Sequence, residues 1–294
     1  MTNFKVWWKA ARPFSWTASL IPVVLGTALA VRDGSPLNLF HFTIGLTSAV
    51  ILQAATNMVS DYFDYIKGVD SAGSYGSSRV LVSGELTPAQ VYRGALSLFG
   101  VGAALGVWLA SAVGWSLLYF GLAALLGGYF YCGDPLGYKY HALGELFVFL
   151  LMGPLMVGGA YFVQAGHISS AALVAALPVG FLVTAILYAN NLRDIADDHQ
   201  AGIKTLAILL GPGRGVRLMP ALVWGAYLSL FPLGLAGLLP WASLLALATL
   251  PLAWRLLKLF QGEYNRAKLA MADVFTAQLH LAFGLLLAVT AFIR

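Results

Sequence analysis

Two stretches of the chain share a carboxylate pattern, about 130 residues apart. The first reads Asn57-Met-Val-Ser-Asp61-Tyr-Phe-Asp64 and the second Asn190-Asn-Leu-Arg-Asp194-Ile-Ala-Asp197-Asp198. Both fit N-x-x-x-D-x-x-D, and both end a long apolar segment. Residues three and four apart share one face of a helix. Asn57, Asp61 and Asp64 therefore form one stripe, and Asn190, Asp194 and Asp197 or Asp198 a second. Acidic clusters at a membrane are costly unless something positive binds between them. Carboxylate and amide oxygens are hard ligands that suit Mg²⁺ or Ca²⁺. Mg²⁺ commonly takes one or two carboxylates and completes its shell with water and substrate phosphates. Two facing clusters could thus hold Mg²⁺ ions with a diphosphate between them.

Nearby cations extend this reading. Lys67 follows Asp64 by three residues, and Arg79 ends the stretch Gly73-Ser-Tyr-Gly-Ser-Ser-Arg79. Arg193 adjoins Asp194, Lys204 follows Gly202, and Lys139 stands beside Tyr138. Lys and Arg neutralise phosphate oxygens, Arg in bidentate fashion. A metal-bound diphosphate is a good leaving group, and its loss from an allylic lipid leaves a carbocation. Tyrosine faces can stabilise such a cation, and Tyr62, Tyr65, Tyr131, Tyr138 and Tyr188 are candidates to line the cavity. The site must also exclude water. For Asp33, Glu85, Glu263 and Asp273 a helix cap or a solvated charge is the expected role. His41, His141, His167, His199 and His280 read as loop or helix-end residues, and Cys132 as an inert thiol.

The 294-residue chain that carries these motifs is 60% hydrophobic and 10% charged, with a mean hydropathy of +0.80. Soluble domains carry roughly 25% charged residues. The composition therefore specifies an all-α polytopic membrane protein, one domain over residues 1–294. One cysteine excludes an intrachain disulfide framework and a four-cysteine metal site. The net charge of +5 is spread through short loops and gives no nucleic-acid signature.

Apolar segments of about 17 residues or more, enough to span a bilayer, fall near 14–31, 38–60, 94–111, 114–131, 142–164, 170–191, 218–238, 240–258 and 273–292. Nine transmembrane helices are expected, the first a retained span rather than a signal peptide. With nine spans, all of the 17 basic residues except Arg32 and Arg294 fall at one face. The positive-inside rule makes that face cytoplasmic. Both carboxylate motifs, the N-terminus and the mouth of a central cavity lie there. The loops after each motif, roughly 65–93 and 192–217, are long, as binding loops often are.

At these residues the chain resembles the UbiA superfamily of intramembrane aromatic prenyltransferases across nearly its whole length. The second motif matches the family's D-x-x-x-D through Asp194 and Asp198. Asn190-Asn-Leu-Arg-Asp194 and Ala201-Gly-Ile-Lys-Thr-Leu-Ala-Ile-Leu-Leu-Gly211 resemble the menaquinone (MenA-type) branch. So do Asp64-Tyr-Ile-Lys-Gly-Val-Asp70, Arg79-Val-Leu-Val-Ser-Gly and Leu143-Gly-Glu145-Leu-Phe-Val-Phe. The first motif departs from the superfamily form N-D-x-x-D-x-x-x-D. Ser60 stands at its Asn, Gly68 at its last Asp, and Asp70 follows two residues later.

The resemblance implies transfer of a polyprenyl group from its diphosphate to 1,4-dihydroxy-2-naphthoate, with loss of diphosphate and carbon dioxide, to give demethylmenaquinone. The implied Mg²⁺ ligands are Asp61, Asp64, Asp70, Asp194, Asp197 and Asp198. Asn57, Lys67, Arg79, Tyr138, Lys139, Asn190, Arg193 and Lys204 are expected around the diphosphate. The implied setting is a bacterial inner membrane. A sibling enzyme using 4-hydroxybenzoate, homogentisate, chlorophyllide or haem is one alternative. A cation-coupled secondary transporter is the other, although transporter sites lie near the bilayer midplane on broken helices.

Overall fold

The computed structural model describes residues 4–70 and 77–293. Positions 73–76 of the glycine- and serine-rich stretch and the terminal Arg294 lie outside them. No strand occurs among the described residues, and the chain is a bundle of helices. A short α1 (Phe4–Ala10) precedes α2 (Thr17–Arg32), α3 (Leu39–Ile66), α4 (Pro88–Val113) and α5 (Leu117–Phe130). Next come α6 (Gly144–Leu150), a π-helical turn at Leu151–Leu155, and α7 (Met156–Ala165). The sixth expected segment is split into α8 (Ser170–Ala175) and α9 (Leu177–Arg193), followed by α10 (Ile195–Gln200). The chain closes with α11 (Leu206–Leu235), a 3-10 helix (Trp241–Thr249) that leads into α12 (Leu250–Leu257), and α13 (Ala272–Ala291).

Among the described residues, seven helical runs are long and apolar enough to cross a membrane: Pro13–Arg32, Leu39–Ile66, Pro88–Val113, Gly144–Ala165, Leu206–Leu235, Trp241–Phe260 and Ala272–Ala291. The protein is an integral membrane protein. The other two expected spans are shorter helices: α5 has 14 residues and α9 has 17. The seventh expected span also starts earlier than its apolar run. Thr205 caps α11 by accepting the Ile208 amide, and the helix then kinks at Gly211, whose φ is 71°.

Local chemistry sets several of these boundaries. Asn38 caps α3 by accepting the His41 amide. Thr87 and Gln90 form a reciprocal capping box ahead of α4, with Pro88 in its first turn. In the π turn, Pro154 has no N–H to continue the regular ladder.

The first apolar segment is a central strut, packed on α3, α7 and α13. Its tight packing depends on glycine. A Cβ at Gly26 would stand 2.2 Å from the Val157 carbonyl oxygen, and one at Gly284 of α13 would meet Ile21 at the same distance. Small residues at such crossings let membrane helices approach closely. One large core joins α2, α9, α11 and α13, and a second joins α1, α3 and α4. Between them runs a cavity.

Candidate active site

The cavity has a volume of about 640 Å³ and is walled by α2 to α7 and α9. One end is polar and receives Asp64, Asp70, Asp194, Asp197 and Asp198. The rest is apolar, running past Leu52, Leu151 and Met152 to Leu109 and Phe120. The C-terminal end of α3 and the α9–α10 junction thus bring the two motifs to a single chamber.

Asp64 is bonded by three different side chains. It accepts Ser60 Oγ at 3.1 Å, Lys139 Nζ at 2.7 Å and Tyr140 Oη at 2.8 Å. Burial pulls the Lys139 ammonium down, but Asp64 together with Cys132, Tyr131 and Asp198 outweighs this and lifts it well above its ordinary value. Asp198 is 5% exposed, and its Oδ2 has no hydrogen-bond partner. Burial raises Asp198 to about 7, with neighbouring Asp194 and Asp64 adding to the rise and Lys139 opposing it. Asp70 is pushed up to about 6, by burial first and then by Asp64. Burial also pushes the Cys132 thiol up to about 12, consistent with an inert group.

The remaining expected residues divide into two groups. Asn57, Tyr138, Lys139 and Asn190 line the cavity. Asn57 ties α3 to the N-terminal segment by donating to the Ala11 carbonyl and Ser15 Oγ. Tyr138 donates to the Gly127 carbonyl at 2.7 Å. Asp61, Lys67, Arg79, Arg193 and Lys204 are not among the lining residues. Asp61 is buried behind the wall, where Arg12 and Ser78 donate to it. Lys67 bonds Asp134 at 2.8 Å and sits over the Tyr140 ring. Arg79 is exposed, on left-handed backbone with φ 65°.

Arg193 departs furthest from the diphosphate expectation. It is 1% exposed and holds Asp194 through two bonds, of 2.9 and 2.7 Å. It also bonds Asn190 and pairs with Asp273 at 2.9 Å. It therefore bonds Asp194 and Asn190 from outside the cavity lining. Asp273, expected as a cap or solvated charge, is buried as the counter-ion that makes this possible. Lys204 works through its backbone: its carbonyl accepts the Ala142 amide and its amide donates to the Tyr140 carbonyl. That pair ties the loop after α5 to the loop after α10, and the Lys204 side chain is exposed.

Of the five candidate tyrosines, Tyr131 and Tyr138 line the cavity, whereas Tyr188 is fully buried and donates to the Gly215 carbonyl. Tyr62 stacks on Tyr92, and Tyr65 is exposed. Sequence reasoning missed Arg12. It counted only as a positive-inside marker, yet it lines the cavity and pairs with Asp61. Its position before Pro13, where a helix must begin, was the available signal.

The UbiA prenyltransferase family profile matches residues 19–291. The chain belongs to the UbiA prenyltransferase family. It is 34% identical to the 1,4-dihydroxy-2-naphthoate octaprenyltransferase of Bacillus subtilis over 286 residues, which cover 97% of this chain and 91% of that one. It is 38% identical to the UbiA prenyltransferase domain-containing protein 1 of Xenopus tropicalis, over 94% of this chain and 78% of the relative. The fold matches that of a UbiA homologue from Archaeoglobus fulgidus bound to GPP and Mg²⁺. The TM-score there is 0.63 at 18% identity, covering 97% of this chain and 99% of the other. The chain is therefore a UbiA prenyltransferase, an enzyme, and the transporter alternative falls.

Proposed function

We propose that this UbiA prenyltransferase transfers a polyprenyl group from polyprenyl diphosphate to 1,4-dihydroxy-2-naphthoate. The allylic C–O bond breaks, a carbon–carbon bond forms on the ring, and diphosphate and carbon dioxide leave. The product is demethylmenaquinone, first as its quinol. The observation that carries the reading is one cavity joining a carboxylate rim to an apolar interior. The rim suits a metal diphosphate and the interior a lipid tail. The name of the Bacillus subtilis relative supports the naphthoate acceptor over the sibling acceptors.

The donor set fits Mg²⁺. Among the described residues no three carboxylates form a ready-made cage, but Mg²⁺ needs only one or two, together with substrate phosphates. Asp64, Asp194 and Asp198 would hold it, with Asp70 and Asp197 at the rim, and the buried Oδ2 of Asp198 supplies an uncommitted oxygen. Bound there, Mg²⁺ supplies charge neutralisation for the departing diphosphate. Asp61 sets the position of Arg12. Lys139, at 13% side-chain exposure inside the cavity, is placed to neutralise a phosphate oxygen. Tyr131 and Tyr138 present aromatic groups to the allylic end, and the apolar wall keeps water from it.

Nine spans are completed when α5 and the α8–α9 pair cross as short helices. The positive-inside bias then puts the N-terminus and the cavity mouth in the cytoplasm of a bacterial cell, with the whole chain as one domain. Purified protein given radiolabelled polyprenyl diphosphate and 1,4-dihydroxy-2-naphthoate should form a lipid quinone only with Mg²⁺ present. Transfer to 4-hydroxybenzoate or homogentisate instead would reassign the acceptor.

A further inference from the structure

Asn191 lines the cavity one residue from Asn190, three before Asp194 and seven before Asp198. All three line the cavity: Asn191 on α9, Asp194 at the C-terminal cap of α9 and Asp198 on α10. The side chain is 5% exposed, and its Nδ2 donates to Glu145 Oε1 at 2.9 Å. Glu145 stands in the first turn of α6, is itself 5% exposed and has no bond at Oε2. Glu145 Oε1 accepts from the Asn191 Nδ2, so Glu145 faces the N–H₂ end of the amide. The carbonyl end of Asn191 is thereby turned away from Glu145, on a residue that lines the cavity.

An amide oxygen at that place accepts hydrogen bonds. It repels phosphate oxygens and suits an O–H donor. Tyr131 and Leu187 line the cavity beside it, together with Lys139, and a Cβ at the neighbouring Gly144 would stand 3.8 Å from the Tyr131 ring, 3.5 Å from the Leu187 side chain and 3.8 Å from the Lys139 backbone. We infer that Asn191 accepts a hydrogen bond from a ring hydroxyl of the aromatic acceptor, and that Glu145 is the positioning residue that fixes the Asn191 amide for this. The inference rests on the aromatic acceptor proposed above. It gives the site a means of choosing a hydroxylated ring, because a site built to bond a hydroxyl leaves a buried polar atom unmatched when the hydroxyl is missing.

The test measures KM for the acceptor separately from KM for the prenyl diphosphate. The wild type is compared with Asn191→Leu, Glu145→Gln and the double variant, using dihydroxynaphthoate and its two monomethyl ethers. One hydrogen bond is worth about tenfold. Asn191→Leu should raise the acceptor KM about tenfold. Donor KM and the Mg²⁺ concentration for half-maximal rate should stay within about twofold. Wild type should disfavour one ether by about tenfold, and Asn191→Leu should abolish that preference. Glu145→Gln should shift acceptor KM in the same direction but add nothing in the Asn191→Leu background, since it acts through Asn191.

An unchanged acceptor KM, a shift in donor or Mg²⁺ dependence instead, or additive effects in the double variant would overturn the inference. If the variants do not fold, equal wild-type kcat/KM for dihydroxynaphthoate and both ethers would also overturn it. A wild type that prenylates no dihydroxynaphthoate at all would defeat the proposed function itself, a separate outcome.

Discussion

Asp198 is where burial and charge are most finely set against each other. The folded protein raises it to about 7, against roughly 3.9 for a free aspartate. The fold therefore favours its protonated form. Metal-free protein should lose stability as pH rises from about 4 to about 7, the reverse of the usual carboxylate trend. Mg²⁺ must displace that proton, so metal affinity should rise about tenfold between pH 6 and pH 8. Mg²⁺-dependent thermal stabilisation across that range reads both effects, and Asp198→Asn should flatten the pH dependence. Arg193 makes the opposite case, a charge retained for structure. Arg193→Ala strips counter-ions from Asp194 and Asp273, and breaking a buried pair costs about 3–5 kcal/mol. A fall in melting temperature without any substrate present is expected, and an unchanged melting temperature would refute the bracing role. Spacing in the sequence identified the aspartates, because i, i+3 and i+4 positions are local. It could not show that Arg193 faces Asp273, 80 positions later, or that Arg12 pairs with Asp61. Those pairings are set by tertiary packing.

Hydropathy located the seven long apolar helices, since long apolar runs are the strongest signal a membrane sequence carries, but not the short α1 and α10. It failed at breaks within helices. The division at Ala176, the π turn at Leu151–Leu155 and the kink at Gly211 leave composition unchanged and alter only backbone direction. Which glycines sit at close helix crossings was not legible from the sequence. Gly26 lies against the Val157 carbonyl, whereas a Cβ at Gly100 on α4 would meet nothing within 4 Å. Gly26→Ala should cost about 1–3 kcal/mol through overpacking, and Gly100→Ala should be neutral or slightly stabilising. Thermal unfolding of the two variants side by side separates close approach from mere composition. The loop staple gives a sharper contrast at one position. Lys204 joins two loops through its amide and carbonyl while its side chain is exposed. Lys204→Ala should retain turnover within about threefold, whereas Lys204→Pro, which removes the amide donor, should abolish it. Equal losses in both variants would restore a phosphate-binding role to the side chain.

At the scale of the whole molecule, the helices surround a chamber with a polar end and an apolar end, which the proposed function assigns to the diphosphate and the tail of one donor. The charge alternation along the sequence pointed to a polar end at one face. The depth of the chamber was not legible, because it depends on which residues of α3, α4, α5 and α7 leave space between them. Gly106 on α4 lines that apolar region, and a Cβ there would meet no atom within 4 Å. A large side chain at this position would fill apolar space, which the proposed function gives to the lipid tail, without touching the carboxylates at the other end. Short prenyl diphosphates that stop before Gly106 should be unaffected, while long ones must bend or protrude. Gly106→Phe should therefore lower kcat/KM for long-chain donors by at least about tenfold relative to short ones, the scale of a few buried methylenes left without room. Product masses from a mixed donor panel read the shift directly. A uniform loss across all chain lengths would mean that the tail takes another path through the helices.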